Sequence, residues 1–308
     1  MEISASLVKD LREKTGAGMM DCKKALVETQ GNFDAAVDYL RKKGIASAAK
    51  KAGRATKEGL VASFLHPEGK LGVVLEINCE TDFVSRTEQF KQLISMVGNH
   101  ILQANPSSVE ELANQPIAAA GGKTASLLLQ ETIATLGENM SIRRFARFDA
   151  DAGGKGIVAS YIHGEGKVGV LVDVAVANAS AAHGDALKAF AKDLTMHIAA
   201  AAPQWLNASD VPAEVTTKEK EIALAQIQNS GKAMKPEFME KAVEGRVRKV
   251  LEETCLMTQP FVKDPNKSIA QLIKETDAAV GGGLSVRRFA RFMLGEGLKD
   301  ATEEGTAN

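Results

Sequence analysis

GLVASFLHPEGKLGVVLEI, residues 59–77, returns further along the chain as GIVASYIHGEGKVGVLVDV, residues 156–174. Each copy holds two apolar runs around a His-x-Glu-Gly-Lys turn (His66–Lys70 and His163–Lys167), and such runs around a glycine-containing turn read as the strands of a hairpin. A second matched pair, MSIRRFARF at 140–148 and LSVRRFARF at 284–292, closes each copy with a further strand. Phe and Arg alternate in part there, so one face is expected to pack while the other stays wet. Two copies of one unit explain both pairs. The expected fold class is α+β, each unit a small antiparallel sheet covered by helices.

Working outward, EINCETDFVSR at 76–86 carries the chain out of the first hairpin. Ser85, with Glu88 three residues on, offers a capping box for the next helix, which leaves Asp82 and Phe83 on a connection. A large ring there either packs back or docks on something, and spacing alone favours packing back. Before the first copy, residues 1 to about 44 read as three short helices. Leu7, Val8 and Leu11 line the first, Cys22, Ala25 and Leu26 the second, and Phe33, Ala36, Val37 and Leu40 the third, with Asn32 as its N-cap. Gly16, Gly18, Gly31 and Gly44 are read as their punctuation. The first loop delivers Met19 and Met20, whose adaptable side chains suit a core, the favoured reading, or a partner groove. From Arg41 to Lys57 follow seven basic residues and no acid. The bland reading is a solvated helical linker; the sharper one is a contact with RNA or an acidic protein.

The second copy is longer because of an insertion. Thr216 and Glu219 suggest a capping box for a helix carrying Ile222, Ala225 and Ile227 to about Asn229, and Gly231 breaks it. Pro236 starts a second helix with Phe238, Met239, Ala242, Val243, Val247, Val250 and Leu251 nearly in heptads. The pair reads as an antiparallel coiled-coil hairpin, either a structural clamp or an interaction device.

At 308 residues the chain suits two or three domains. A net charge of -1 argues against a surface that coats nucleic acid or membrane. Three cysteines, Cys22, Cys79 and Cys255, are too few and too scattered for a secreted disulfide framework, and a reducing cytoplasm is expected. The N-terminus lacks the apolar core of a signal peptide, and no apolar run approaches the roughly 18 residues of a membrane span. Apparent catalytic motifs fail on context. Gly164–Gly169 satisfies GxGxxG but lies in a hairpin turn with no helix to receive a phosphate. Gly122-Lys123-Thr124 has Ile117 where a P-loop needs its leading glycine, and no strand is expected before it. Five histidines (His66, His100, His163, His183, His197) show no metal-ligand spacing. Cys79 lies beside Glu76 and Glu80, which would raise its pKa, so a nucleophilic role is set aside.

The stretches Leu11-Arg12-x-x-Thr15-Gly16-Ala17-Gly18-Met19-Met20-Asp21-Cys22-Lys23-Lys24-Ala25-Leu26 and Glu76–Val84 resemble the two signatures of the elongation factor Ts family, and the domain order is similar over nearly the whole chain. That resemblance implies a UBA-like helical module and basic linker at 1–54 and a core N-subdomain at 55–150. It further implies a core C-subdomain at 151–213 and 263–292, a coiled-coil hairpin at 214–262 and a short tail at 293–308. It implies a cytoplasmic guanine-nucleotide exchange factor without covalent chemistry or cofactor, whose partner is elongation factor Tu. Thr81, Asp82, Phe83 and Val84 would disturb the partner's Mg²⁺ site, with Asp82 and Phe83 central. Met19 and Met20 would grip the GTPase domain from another side, with His163 of the second hairpin as a further contact. The second core unit would lean on another domain of the partner. The acidic tail is shorter than the helical C-terminal module of some relatives. No metal, membrane or nucleic-acid partner is expected, and homodimerisation through the hairpin stays open.

Overall fold

The computed structural model describes residues 3–152, 155–177, 184–229 and 236–298. Helices α1 (Ala5–Thr15), α2 (Met19–Glu28) and α3 (Phe33–Lys51) form an N-terminal module around Val8, Leu11, Cys22, Ala25, Leu26, Ala36 and Leu40. Ser4 caps α1 and Asn32 caps α3, each side chain accepting a backbone N–H from three residues ahead. Gly16 ends α1 in the left-handed region at φ 69°.

The first unit follows: β1 (Glu58–Leu65), β2 (Leu71–Cys79), α4 (Asp82–Ser85), α5 (Glu88–Ala104), α6 (Val109–Asn114), β3 (Pro116–Ile117), β4 (Lys123–Thr124), α7 (Ala125–Leu136) and β5 (Met140–Asp149). Its antiparallel sheet has the order β1-β2-β5. Helix α5 covers one face with Phe90, Leu93, Val97 and Ile101, all fully buried. The sequence reading includes neither β3 nor β4, which pair with each other, so Gly122-Lys123-Thr124 closes a small ribbon. Gly44 was expected to stop α3, but the helix continues to Lys51. A Cβ at Gly44 would lie 3.0 Å from the Cβ of Ala134 on α7. The missing side chain there serves the close approach of two helices rather than a helix end.

The second unit contains β6 (Gly156–His163), β7 (Val168–Ala175), α8 (Asp185–Ala201), α9 (Ala213–Asn229), α10 (Pro236–Thr254), β8 (Pro260–Phe261), β9 (Asp264–Ser268), α11 (Ile269–Ala279) and β10 (Ser285–Met293). The sheet order β10-β7-β6 repeats the first. Helices α9 and α10 lie against each other, and Arg246 donates to Gln226 across them. Helix α9 begins at Ala213, so the capping box expected at Thr216 is not its start; the Thr216 N–H already bonds the Pro212 carbonyl at 3.2 Å. Its buried positions are Ala223 and Ile227, while Ile222 and Ala225 are exposed. Gly231 lies outside the described residues, as does His183. The base of the arm is tied down where Gln204 and Trp205 donate to the Thr254 carbonyl and Leu256 donates to that of Trp205.

The two sheets meet across an approximate two-fold relation. Val61 N–H donates to the Gly166 carbonyl at 2.8 Å, and its counterpart Val158 donates to Gly69 at 2.7 Å. The hydroxyls of Ser63 and Ser160, matched residues of the repeat, meet at 3.0 Å. Val61, Val74 and Phe148 from one unit and Val158 and Leu171 from the other form the shared core. Arg144 stacks over Phe292 at 4.3 Å and Arg288 over Phe148 at 4.5 Å, each reaching into the opposite unit.

The arginines of the closing strands were expected on a wet face. Bulges correct this: register shifts at Glu76/Ile77 and at Val286/Arg288 place two consecutive arginines on one side of each sheet. Arg143 and Arg144 both bond the fully buried Glu76, at 2.9 and 2.6 Å. Arg287 and Arg288 hold the equally buried Asp173 at 3.0 and 3.1 Å. Glu76 also accepts the N–H of Gly295, so the segment after β10 closes back on the first sheet.

Candidate functional site

Residues 81–84 leave β2 and enter a single helical turn. Thr81 is extended (φ -129°, ψ 155°) and its hydroxyl accepts the Val84 N–H, which starts α4. The Ser85 hydroxyl donates to the Asp82 carbonyl at 2.8 Å within this turn, so it is not free to cap the next helix. Thr87 takes that part, accepting from Phe90 N–H at 3.3 Å. Asp82 and Phe83 therefore stand on an ordered helical turn rather than a loose connection.

The turn has an inside and an outside. Val84 and Ser85 are buried, and Val84 joins the first core. Phe83 is 79% exposed, so its ring does not pack back as spacing favoured. Asp82 is half-buried and bonds Arg86 at 2.9 Å. A large apolar ring raised on a backbone fixed by caps suits insertion into another surface.

Beneath the turn is a clasp that local sequence patterns do not reveal. The Glu138 carboxylate accepts the Thr81 hydroxyl at 2.6 Å and the Thr81 N–H at 3.0 Å. Reciprocally, Glu80 accepts the N–H of Asn139 at 2.6 Å and is paired with Arg54 at 3.4 Å. The Asn139 amide donates to the carbonyls of Ala52 and Arg54, joining the end of the linker to the same assembly.

The other expected residues stand on separate elements. Met19 and Met20 open α2 at 45% and 74% exposure, so neither enters the module core as favoured. His163 ends β6, exposed, with Nδ1 3.0 Å from the Tyr161 hydroxyl. Of the basic run, Lys43 pairs with Asp21, Arg54 with Glu80, and Lys51 bonds Ser47.

The chemistry of the remaining candidates is structural. The Cys79 thiol is buried and pushed up to about 12, first by burial and then by the charges of Glu138 and Glu58. The carboxylates responsible are thus not the Glu76 and Glu80 expected from sequence, and such a thiol is a poor nucleophile near neutrality. His197 is buried, its Nε2 3.0 Å from Gln259 and its Nδ1 accepting the Val262 N–H at 3.3 Å. Among the described residues no group of three or more His, Cys, Asp or Glu could hold a metal, and no helix is long and apolar enough to cross a membrane.

A family model described as Elongation factor TS matches residues 80–296. The elongation factor Ts of Trichlorobacter lovleyi is 47% identical over 299 residues, covering 97% of this chain and 94% of the relative. That of Bdellovibrio bacteriovorus is 47% identical over 307 residues, 100% of this chain and 97% of the relative. That of Nostoc punctiforme is 44% identical over 300 residues, covering 97% and 94%.

Proposed function

The chain belongs to the elongation factor Ts family, a family of translation elongation, and from that premise we propose that it is a cytoplasmic guanine-nucleotide exchange factor that binds elongation factor Tu in its GDP form and releases the nucleotide. The observation that carries the proposal is the exposed Phe83 on its capped helical turn. In this reading Thr81, Asp82, Phe83 and Val84 reach the partner's Mg²⁺ site. GDP is held partly through Mg²⁺, which neutralises phosphate charge, so disturbing the metal's surroundings loosens the nucleotide.

Magnitudes limit what that turn can do alone. Fully burying one Phe stabilises a complex by about 1.5–3 kcal/mol, or roughly one to two powers of ten in an equilibrium. By linkage, a factor that prefers the nucleotide-free partner weakens nucleotide binding by an equal factor. Large acceleration therefore needs an extended interface. We assign that part to the UBA-like module through Met19 and Met20, to His163 and to the second core unit.

The test is release of fluorescent GDP from elongation factor Tu, chased with unlabelled GDP, with this protein at substoichiometric amounts. Acceleration with turnover is expected, and Phe83→Ala should slow it by roughly one to two powers of ten while remaining folded. No acceleration by the folded wild type with its cognate partner overturns the proposal.

A further inference from the structure

The Phe83 ring draws little support from its own packing, so the direction in which it leaves the surface is set by the backbone beneath it. At the far end of the turn, burial of Val84 and the cap at Thr87 anchor that backbone. At the near end, both the N–H and the hydroxyl of Thr81 donate to one carboxylate, that of Glu138. We propose that Glu138 is a positioning residue for exchange, holding the Asp82–Phe83 turn in the orientation that acts on the GTPase partner. This role rests on the exchange-factor reading above.

Three features separate this role from ordinary stabilisation. Glu138 lies in the connection between α7 and β5, is only part-buried, and belongs to none of the apolar cores. Its two bonds are charge-assisted and converge on the residue that caps the turn, so they fix the orientation in which the turn starts. They also form half of a reciprocal clasp, with Glu80 bonding Asn139 N–H and the Asn139 side chain holding the linker carbonyls of Ala52 and Arg54. The end of the linker is thereby joined to the backbone that leads into the turn. Removing Glu138 frees the start of the turn while the burial of Val84 stays in place.

The experiment measures GDP release from elongation factor Tu by stopped flow at increasing concentrations of the full-length protein. It compares wild type, Glu138→Ala, Phe83→Ala and the double variant, with thermal unfolding of each as the folding control. Glu138→Ala is expected to lower the maximal release rate about tenfold, on the scale of losses from small misplacements, with little change in the half-saturating concentration. In the Phe83→Ala background the same substitution is expected to cost less than in wild type, since the ring being positioned is gone and only Asp82 remains to be misplaced. Glu138→Gln, whose amide oxygen still accepts one Thr81 donor, is expected to be intermediate, and it carries the test if Glu138→Ala does not fold. An active wild type with an undiminished rate in the Glu138 variants, or losses that simply add in the double variant, overturns the positioning role alone. A folded wild type that accelerates nothing overturns the exchange reading and this role with it.

Discussion

At Ala202 the backbone takes φ 48° and ψ 51° as α8 ends, a left-handed conformation in which a Cβ is crowded. The matching residue of the first unit is Asn105, at φ 51° and ψ 52°. Asparagine tolerates this region better, and there its side-chain oxygen accepts from Arg147 at 3.1 Å. Arg147 also donates to the Leu102 carbonyl near the end of α5, and its counterpart Arg291 reaches the Ala199 carbonyl near the end of α8. Ala202→Asn should therefore raise stability by about 0.5–1 kcal/mol. Urea unfolding would show a higher midpoint at unchanged slope; an unchanged or lower midpoint would mean that the strain is already relieved.

Among the elements, α3 and α7 show how one residue type serves opposite ends. Gly44 reads as a stop because glycine readily takes positive φ, yet it is helical and lets α3 settle onto α7. Gly44→Leu should force the helices apart, at about 1–3 kcal/mol of overpacking. Limited trypsin digestion is expected to cut the Arg41–Lys57 segment faster than in wild type; equal rates would show that α3 is not held by this contact. The repeated hairpins, the closing strands and the three module helices were legible because their signals are local: alternation, a glycine turn and an Asn cap. Helix starts were less so, since Ser85-x-x-Glu88 and Thr216-x-x-Glu219 both fit the capping pattern while their hydroxyls serve other bonds. The Thr81–Val84 stretch was found through its motif, but the exposure of Phe83, Met19 and Met20 went against the packing preference. Glu138 escaped because the backbone that it holds lies in a distant part of the chain and no spacing rule connects them.

On the scale of the whole molecule, two buried carboxylates hold the halves in their places. Burial alone would push the Glu76 carboxyl up, but the Gly295 N–H and the guanidinium groups of Arg143 and Arg144 outweigh it and hold it below the ordinary value. A depressed carboxyl contributes stability that is present above its unfolded pKa, roughly 4.3, and is lost as pH falls through the lower folded value. Glu76→Gln should cost about 3 kcal/mol at neutral pH, because it leaves two arginines without their charge partner. It should also flatten the acid limb of thermal stability below about pH 4.3, the ordinary carboxylate value. Melting curves across that range check both, and an equally steep acid limb in the variant would assign the loss to other carboxylates.

The two-fold relation has a consequence for how the chain could be written. The Ala150 N–H bonds the Lys70 carbonyl where the first unit ends, and the Leu294 N–H bonds that of Lys167 where the second ends. Ala150 and Lys155, flanking the passage into the second unit, both accept from Arg287. Gly295, just past the second unit, rests against the Lys57 carbonyl at the entrance to the first. The exit of each half thus lies at the doorway of the other. A backbone opened between the halves and rejoined from Gly295 to Lys57 would trace the same core in the reverse order, because nothing in that geometry records which half is spelled first.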